Sequence, residues 1–307
     1  MSITVLKQVG NLRVIPTVLA MAAVSACSSA SGPTAGAPSG HAPQAYEPLA
    51  STVATTSTLG GSALRWPAGD TKPEAISLTG NRTGDTGRTA LNDGTYLFVY
   101  VHGTSAAGAI LDGAGASGTV GDNRFAGTYD YVRAYNIQYP SGASQDGLDG
   151  FAGVITAASD MPSGGSATYT GEVAIDKFAH GNTASTVHFD RGVSTLSVDF
   201  AAGTADVDLG NFAARTTGAN VPISAATAPF DQITGTGMTI SGAHFTGGNW
   251  VTLKGGSVVN VVGANPTSGS NGTFFGYDAS VSAPDEVAGV FVINGATAII
   301  TGRYIAD

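Results

Sequence analysis

One thiol and five imidazoles carry most of the chemistry open to this 307-residue chain. The single cysteine, Cys27, closes the run Val24-Ser25-Ala26-Cys27. Ahead of it stand Lys7, Arg13 and an apolar stretch over residues 14–24, interrupted only at Pro16. Basic residues, a short apolar region and small residues before a cut are the marks of a secretory signal. The stretch is about half of the ~20 residues that cross a bilayer, so it does not read as a span. A cysteine directly after the small residues adds a second chemistry. Its thiol can be acylated, and cleavage then leaves it as the new N-terminus. An ordinary signal peptide with an incidental cysteine is the plainer alternative. The expectation is a lipoprotein signal over residues 1–26 and a lipid-bilayer anchor at Cys27. Ser28 stands where an Asp would cue retention at the inner membrane, so the outer membrane is the expected location, with the protein facing the cell surface or the periplasm.

Two of the histidines, His180 and His188, lie eight residues apart and carry neighbouring aromatics in Phe178 and Phe189. Such imidazoles could ligate haem iron or a metal, and exposed loop histidines are the competing reading. His41 falls in a polar tether, while His102 and His244 end predicted strands, where a histidine is usually at the surface. Asp85-Thr86-Gly87 has the letters of a retroviral-type aspartic protease triplet, but it follows a polar turn rather than a hydrophobic strand. Asp206-Val207-Asp208-Leu209-Gly210-Asn211 opens like a calcium loop, yet it lacks a third ligand before the Gly and a closing Glu. In an alternating strand Asp206 and Asp208 share one face, most simply the solvent face. Nucleophile elbows, zinc-protease helices and phosphate loops are missing. The sequence therefore predicts no catalytic residue, no resident metal and no cofactor.

Composition sets the class of element that must position these groups. Only 11% of residues are charged, the formal net charge is −9 and there are 44 glycines. An acidic balance with 13 Lys and Arg leaves no basic patch for nucleic acid. The 42% hydrophobic content argues for a folded chain despite the glycine. Residues 27–58 are rich in Ala, Ser, Pro, Gly and Thr and read as a flexible tether. Beyond them nothing shows helical periodicity.

Strands are predicted at residues 96–102, 128–137 and 150–156, the second with Tyr129, Tyr131 and Tyr135 on one face. That face is either an interface patch or cross-strand packing. Trp66 and Trp250 are open to the same two readings. Eight further strands are expected at residues 166–175, 195–200, 204–212, 238–245, 251–253, 272–280, 287–293 and 297–305. Ala201-Ala202-Gly203-Thr204 and Asn294-Gly295 are hairpin turns. Eight antiparallel strands suffice to close a small barrel filled by its own side chains.

The motifs of this second half resemble a known family. They are Met161-Pro162-Ser163-Gly164-Gly165, Leu196-Ser197-Val198-Asp199-Phe200, Gly272-Thr273-Phe274-Phe275-Gly276 and Glu286-Val287-Ala288-Gly289-Val290-Phe291. Together they are similar to the β-barrel domain of transferrin-binding-protein-like surface lipoproteins. Phe275, Tyr277 and Ala288 depart from that family's usual Tyr, Pro and Gly. The resemblance implies an all-β chain with a β-rich handle domain at residues 59–160 and an eight-stranded antiparallel barrel at 161–307, displayed on the outer membrane. The expected function is binding rather than catalysis, toward an unknown protein or small-molecule ligand. A structural or adhesive envelope lipoprotein, or a haem- or metal-capturing one, is the alternative.

Overall fold

The computed structural model describes residues 43–46, 48–49, 58–67, 72–82, 88–92, 97–101, 111–112, 117–120, 124–138, 145–180 and 182–307. Cys27, His41, Asp85-Thr86-Gly87 and His102 lie outside them. Every regular element among the described residues is a strand.

The first eight strands form one antiparallel sheet. They are β1 (Leu59–Pro67), β2 (Glu74–Arg82), β3 (Arg88–Asn92), β4 (Leu97–Val101), β5 (Leu111–Asp112), β6 (Ser117–Val120), β7 (Val132–Gln138) and β8 (Gln145–Val154). Their spatial order is β5-β4-β3-β2-β1-β8-β7-β6, so the first and last strands meet at the centre.

The second half gives β9 (Ser166–Ala179), β10 (Asn182–Asp199), β11 (Thr204–Gly210), β12 (Ala214–Thr217), β13 (Gln232–Ser241), β14 (His244–Lys254), β15 (Ser257–Val259), β16 (Thr267–Phe275), β17 (Glu286–Asn294) and β18 (Ala298–Ala306). Eight of these run β11-β13-β14-β16-β17-β18-β9-β10 and close through the β10–β11 pairing; β12 and β15 are flaps on β10 and β14. The expected eight-stranded antiparallel barrel is therefore present, with a β-rich handle sheet before it.

Several boundaries differ from the sequence reading: the strand expected at 128–137 runs Val132–Gln138, the one at 251–253 is the end of β14, and the one at 272–280 runs Thr267–Phe275. The strand expected at residues 238–245 breaks at a two-residue turn, where Ser241 pairs with His244 and Gly242 takes φ 57°. A positive φ suits the tight hairpin turn and is open to glycine without penalty. β10 starts well before residue 195, carried past an irregularity between Phe189 and Gly192 where Arg191 sits at φ 53°.

Alternation along the barrel strands sends one set of side chains inward and the other outward. Phe189, Phe230, Phe245, Phe274, Phe291 and Tyr304 are among the largest fully buried side chains. Phe291 stacks on Trp250 with centroids 4.3 Å apart and planes 12° apart, so that tryptophan is core. Four inward rings lie over the glycine paired with them on the next strand: Phe245 on Gly272, Trp250 on Gly235, Phe291 on Gly302 and Tyr304 on Gly289. The glycines make room for rings that fill the barrel.

β17 and β18 are buried along almost their whole length. Their inner side chains belong to the barrel core, and their outer ones meet a second layer. The handle strands β1, β2, β7 and β8 pack on β17, while β1 and β2 also reach β16. Polar groups are matched across this joint: the buried Ser62 and Thr273 hydroxyls are 2.9 Å apart, and at its exposed margin Ser77 donates to Asn271 Oδ1 at 3.0 Å.

Part of the expected tether is docked on the body. Leu49 is 2% exposed and packs with Leu59 and Val154, and its N–H bonds the Asp130 carbonyl at 2.8 Å. The Tyr46 hydroxyl donates to Asp160 Oδ2 at 2.6 Å, accepts from the Ala157 N–H at 2.7 Å, and its ring stacks on Tyr277. Low charge and small residues made this stretch read as linker; two large side chains hold it down.

Candidate functional site

The handle occupies the outer wall at β16–β18. Four strands from β17 in either direction lies β11, and there the wall carries an open groove of about 810 Å³. Its floor is a grid set by strand register. Val193 pairs with Gly210 and Thr195 with Asp208 across β10–β11, while Gly210 pairs with Gln232 and Asp208 with Thr234 across β11–β13. Ser197 pairs with Asp206, and a β-bulge between Ala205 and Val207 brings Asp206 against the Gly237 N–H at 2.7 Å. Thr236 completes the far corner of the lining.

The Thr195–Asp208–Thr234 row thus places a short hydroxyl side chain about 5 Å to either side of a carboxylate. Asp206 and Asp208 are exposed on the same face, as their alternation predicts. Asp208 accepts from Gln232 Nε2 at 2.6 Å, and Asp231, also in the lining, accepts from the Gly255 N–H at 2.9 Å. Arg215, on β12, brings the groove's one cation. Its guanidinium lies 5.8 Å from the Phe212 ring, and its buried Nε has no hydrogen-bond partner among the described residues. The lining offers hydroxyls, amides, carboxylates and a guanidinium, a set that binds through hydrogen bonds and charge.

The histidines singled out in the sequence fall elsewhere. His180 donates through Nε2 to the Gly295 carbonyl at 2.7 Å. His188 Nδ1 is 2.6 Å from Asp176 Oδ1, and that hydrogen bond raises its pKa. Asp176 also receives Arg124 at 2.7 Å. Burial alone would raise the Asp176 carboxyl, but Arg124 holds it far below the usual carboxylate range. Arg124 bonds Asp190 at 2.5 Å as well. No group of three or more His, Cys, Asp or Glu among the described residues is placed to hold a metal ion.

Arg124 starts a strap, residues 124–132, that crosses the barrel wall. The N–H groups of Ala126 and Gly127 bond Glu172 at 2.8 and 2.9 Å. Those of Asp130, Tyr131 and Val132 converge on Glu286 at 2.5, 3.0 and 3.0 Å. Glu286 is 3% exposed; burial pushes its pKa up to about 8, against the pull of the N–H donors. Tyr129 and Tyr135 are buried, and the Tyr131 ring seats on Gly276, where a Cβ would stand 2.2 Å from it. Packing therefore accounts for the tyrosine face. Two residues of the motif runs, Gly276 and Glu286, prove to be parts of the handle–barrel joint.

No protein-family model matches the chain, and no curated protein does. Solved structures do. Transferrin-binding protein B of Haemophilus parasuis aligns at 14% identity and TM-score 0.46, over 83% of this chain and 46% of that one. The chain is similar to transferrin-binding protein B. The Neisseria meningitidis protein gives 14% identity and TM-score 0.44 over 81% and 43%. An Actinobacillus pleuropneumoniae structure gives 14% and 0.36 over 80% and 99%. This chain spans a little under half the length of the first and second of these.

Proposed function

We propose that the chain is a lipid-anchored binding protein of the bacterial outer membrane, held by acylated Cys27 and meeting its partner with the barrel wall turned away from the handle. One observation carries this reading: the barrel's interior is filled by aromatic rings and one side is covered by the handle, while a polar groove opens on the wall opposite. Rigid barrels suit such presentation because the recognition groups stay where the register puts them. The groove lining of hydroxyls, amides, carboxylates and a guanidinium supports binding through hydrogen bonds and charge. In this division residues 1–26 are the signal, the chain from Cys27 to about 58 is the tether with its end docked at Tyr46 and Leu49, 59–160 the handle and 161–307 the barrel.

Two measurements test it. Metabolic labelling with a fatty-acid analogue should mark the wild type and leave Cys27→Ser unmarked. Protein coupled through its N-terminus should retain a component of extracellular fluid, and loss of retention on replacing Thr195 and Thr234 by Lys would place the contact in the groove. An unlabelled wild type removes the anchor; retention indifferent to the groove removes the site.

A further inference from the structure

The groove's charges are arranged, and the arrangement selects a partner. Asp206 and Asp208 stand two residues apart on one strand, so their side chains are spaced about 6.8 Å along it. Asp231 adds a third carboxylate to the lining, and Arg215 is the only cation against them. Two of the carboxylates, Asp206 and Asp208, are exposed. Each of the three spends one oxygen on a bond within the protein, to the Gly237 N–H, Gln232 or the Gly255 N–H. Acceptor capacity therefore remains at all three. Arg215 stands apart from this use: it forms no ion pair with a described residue, and with Nε buried beside the Phe212 ring its terminal guanidinium nitrogens are the ones a partner would meet.

An extended peptide repeats its side chains every two residues at nearly the same 6.8 Å spacing as the two aspartates. Cations on alternate residues therefore fall in register with Asp206 and Asp208, and the flanking Thr195, Ser197 and Thr234 hydroxyls can take the chain's polar groups. Val193, 38% exposed, gives the floor one apolar contact. The chain's net charge of −9 draws a cation toward the groove and turns away nucleic acid and acidic glycans.

We propose that the groove binds an extended basic peptide segment, with lysine or arginine side chains two residues apart over Asp206 and Asp208 and a carboxylate of the same segment on Arg215. This rests on the reading of the groove as the binding face. Arg215 gives the segment its direction, because a carboxylate at one end pairs with it and an amine at that end does not.

The test is fluorescence anisotropy on the full chain in detergent. The probes are a labelled peptide of alternating Lys and Thr with a free C-terminal carboxylate, its amidated form, an alternating Glu and Thr peptide, and a neutral oligosaccharide. The lysine peptide should bind, the glutamate peptide should not, and about 0.5 M salt should weaken the complex strongly. Asp206→Asn with Asp208→Asn should cost about three- to tenfold, since two exposed charge pairs are lost. Asn keeps an oxygen for the Gly237 N–H and for Gln232, so the variant should fold, with circular dichroism as the check. Arg215→Gln should weaken the carboxylate form and leave the amidated one unchanged. Failure of the lysine peptide to bind, or binding indifferent to the double variant, overturns the proposal. Capture of the oligosaccharide alone, lost on Thr195→Lys, overturns the peptide class while the groove stays a binding face. If no probe binds and Thr195→Lys leaves partner retention intact, the face itself is wrong.

Discussion

The ring of Phe245 lies over Gly272, its cross-strand partner, so closely that a Cβ on Gly272 would stand 1.9 Å from Phe245 Cζ. The glycine is a socket, and the ring filling it also packs on Phe274 at 5.2 Å. Gly272→Ala should therefore destabilise the barrel by about 3 kcal/mol through overpacking. Phe245→Leu in the same chain should recover part of that loss. Denaturant midpoints of the two variants decide it, and a Gly272→Ala midpoint equal to wild type would show the ring has room to move.

Glu286 ties the strap to the barrel and makes the joint sensitive to pH. A glutamate in the unfolded chain titrates near 4.5 and this one near 8. Between those values the folded state holds the extra proton, so stability falls as pH rises across the window. The slope is at most about 1.36 kcal/mol per pH unit. Melting temperature should decline from pH 5 to 8 in the wild type and be flatter in Glu286→Gln; parallel curves would refute it.

His188 acts in the same direction. Its pKa is raised above 6.5 by the bond to Asp176, so its contribution is complete below 6.5 and disappears as pH climbs through the higher folded value. The repulsion from Arg124 opposes this rise. Arg124→Gln should move the His188 titration, followed by ring-proton NMR, further up. It should also cost about 3 kcal/mol, because two partly buried carboxylates lose their partner. An unmoved titration would mean that the guanidinium does not act on the imidazole.

The Tyr304 hydroxyl is fully buried with no hydrogen-bond partner among the described residues. Leaving a buried donor unpaired costs about 1–3 kcal/mol. Tyr304→Phe keeps the ring over Gly289 and removes the orphan, so thermal stability should rise. A fall would reveal a partner for the hydroxyl.

Much of the barrel was legible because its turns are chemically explicit. Asn294-Gly295 and the turn at Gly203 sit where their spacing puts them, between strands paired Asn294 to Ile299 and Asp199 to Thr204. Gly242 carries no signal as one more glycine among 44, and Met238 and Ile240 before it with Ala243 and Phe245 after it read as one strand that hides a two-residue turn. The shared face of Asp206 and Asp208 could be read from alternation alone. Thr195, Thr234 and Arg215 join them only through strand register and a flap, which no local pattern announces. Glu286 stood out as a motif residue, but its role belongs to N–H groups more than 150 positions earlier in the chain.

The double covering of β17 bears on how the chain can be divided. Its outward residues Ala288, Val290 and Val292 are buried because the handle lies on them. A barrel expressed from residue 161 onward would present this apolar stripe to water and invite self-association. Handle and barrel are therefore two topological units with a single solubility, and a soluble half needs charged substitutions along that stripe before it can stand alone.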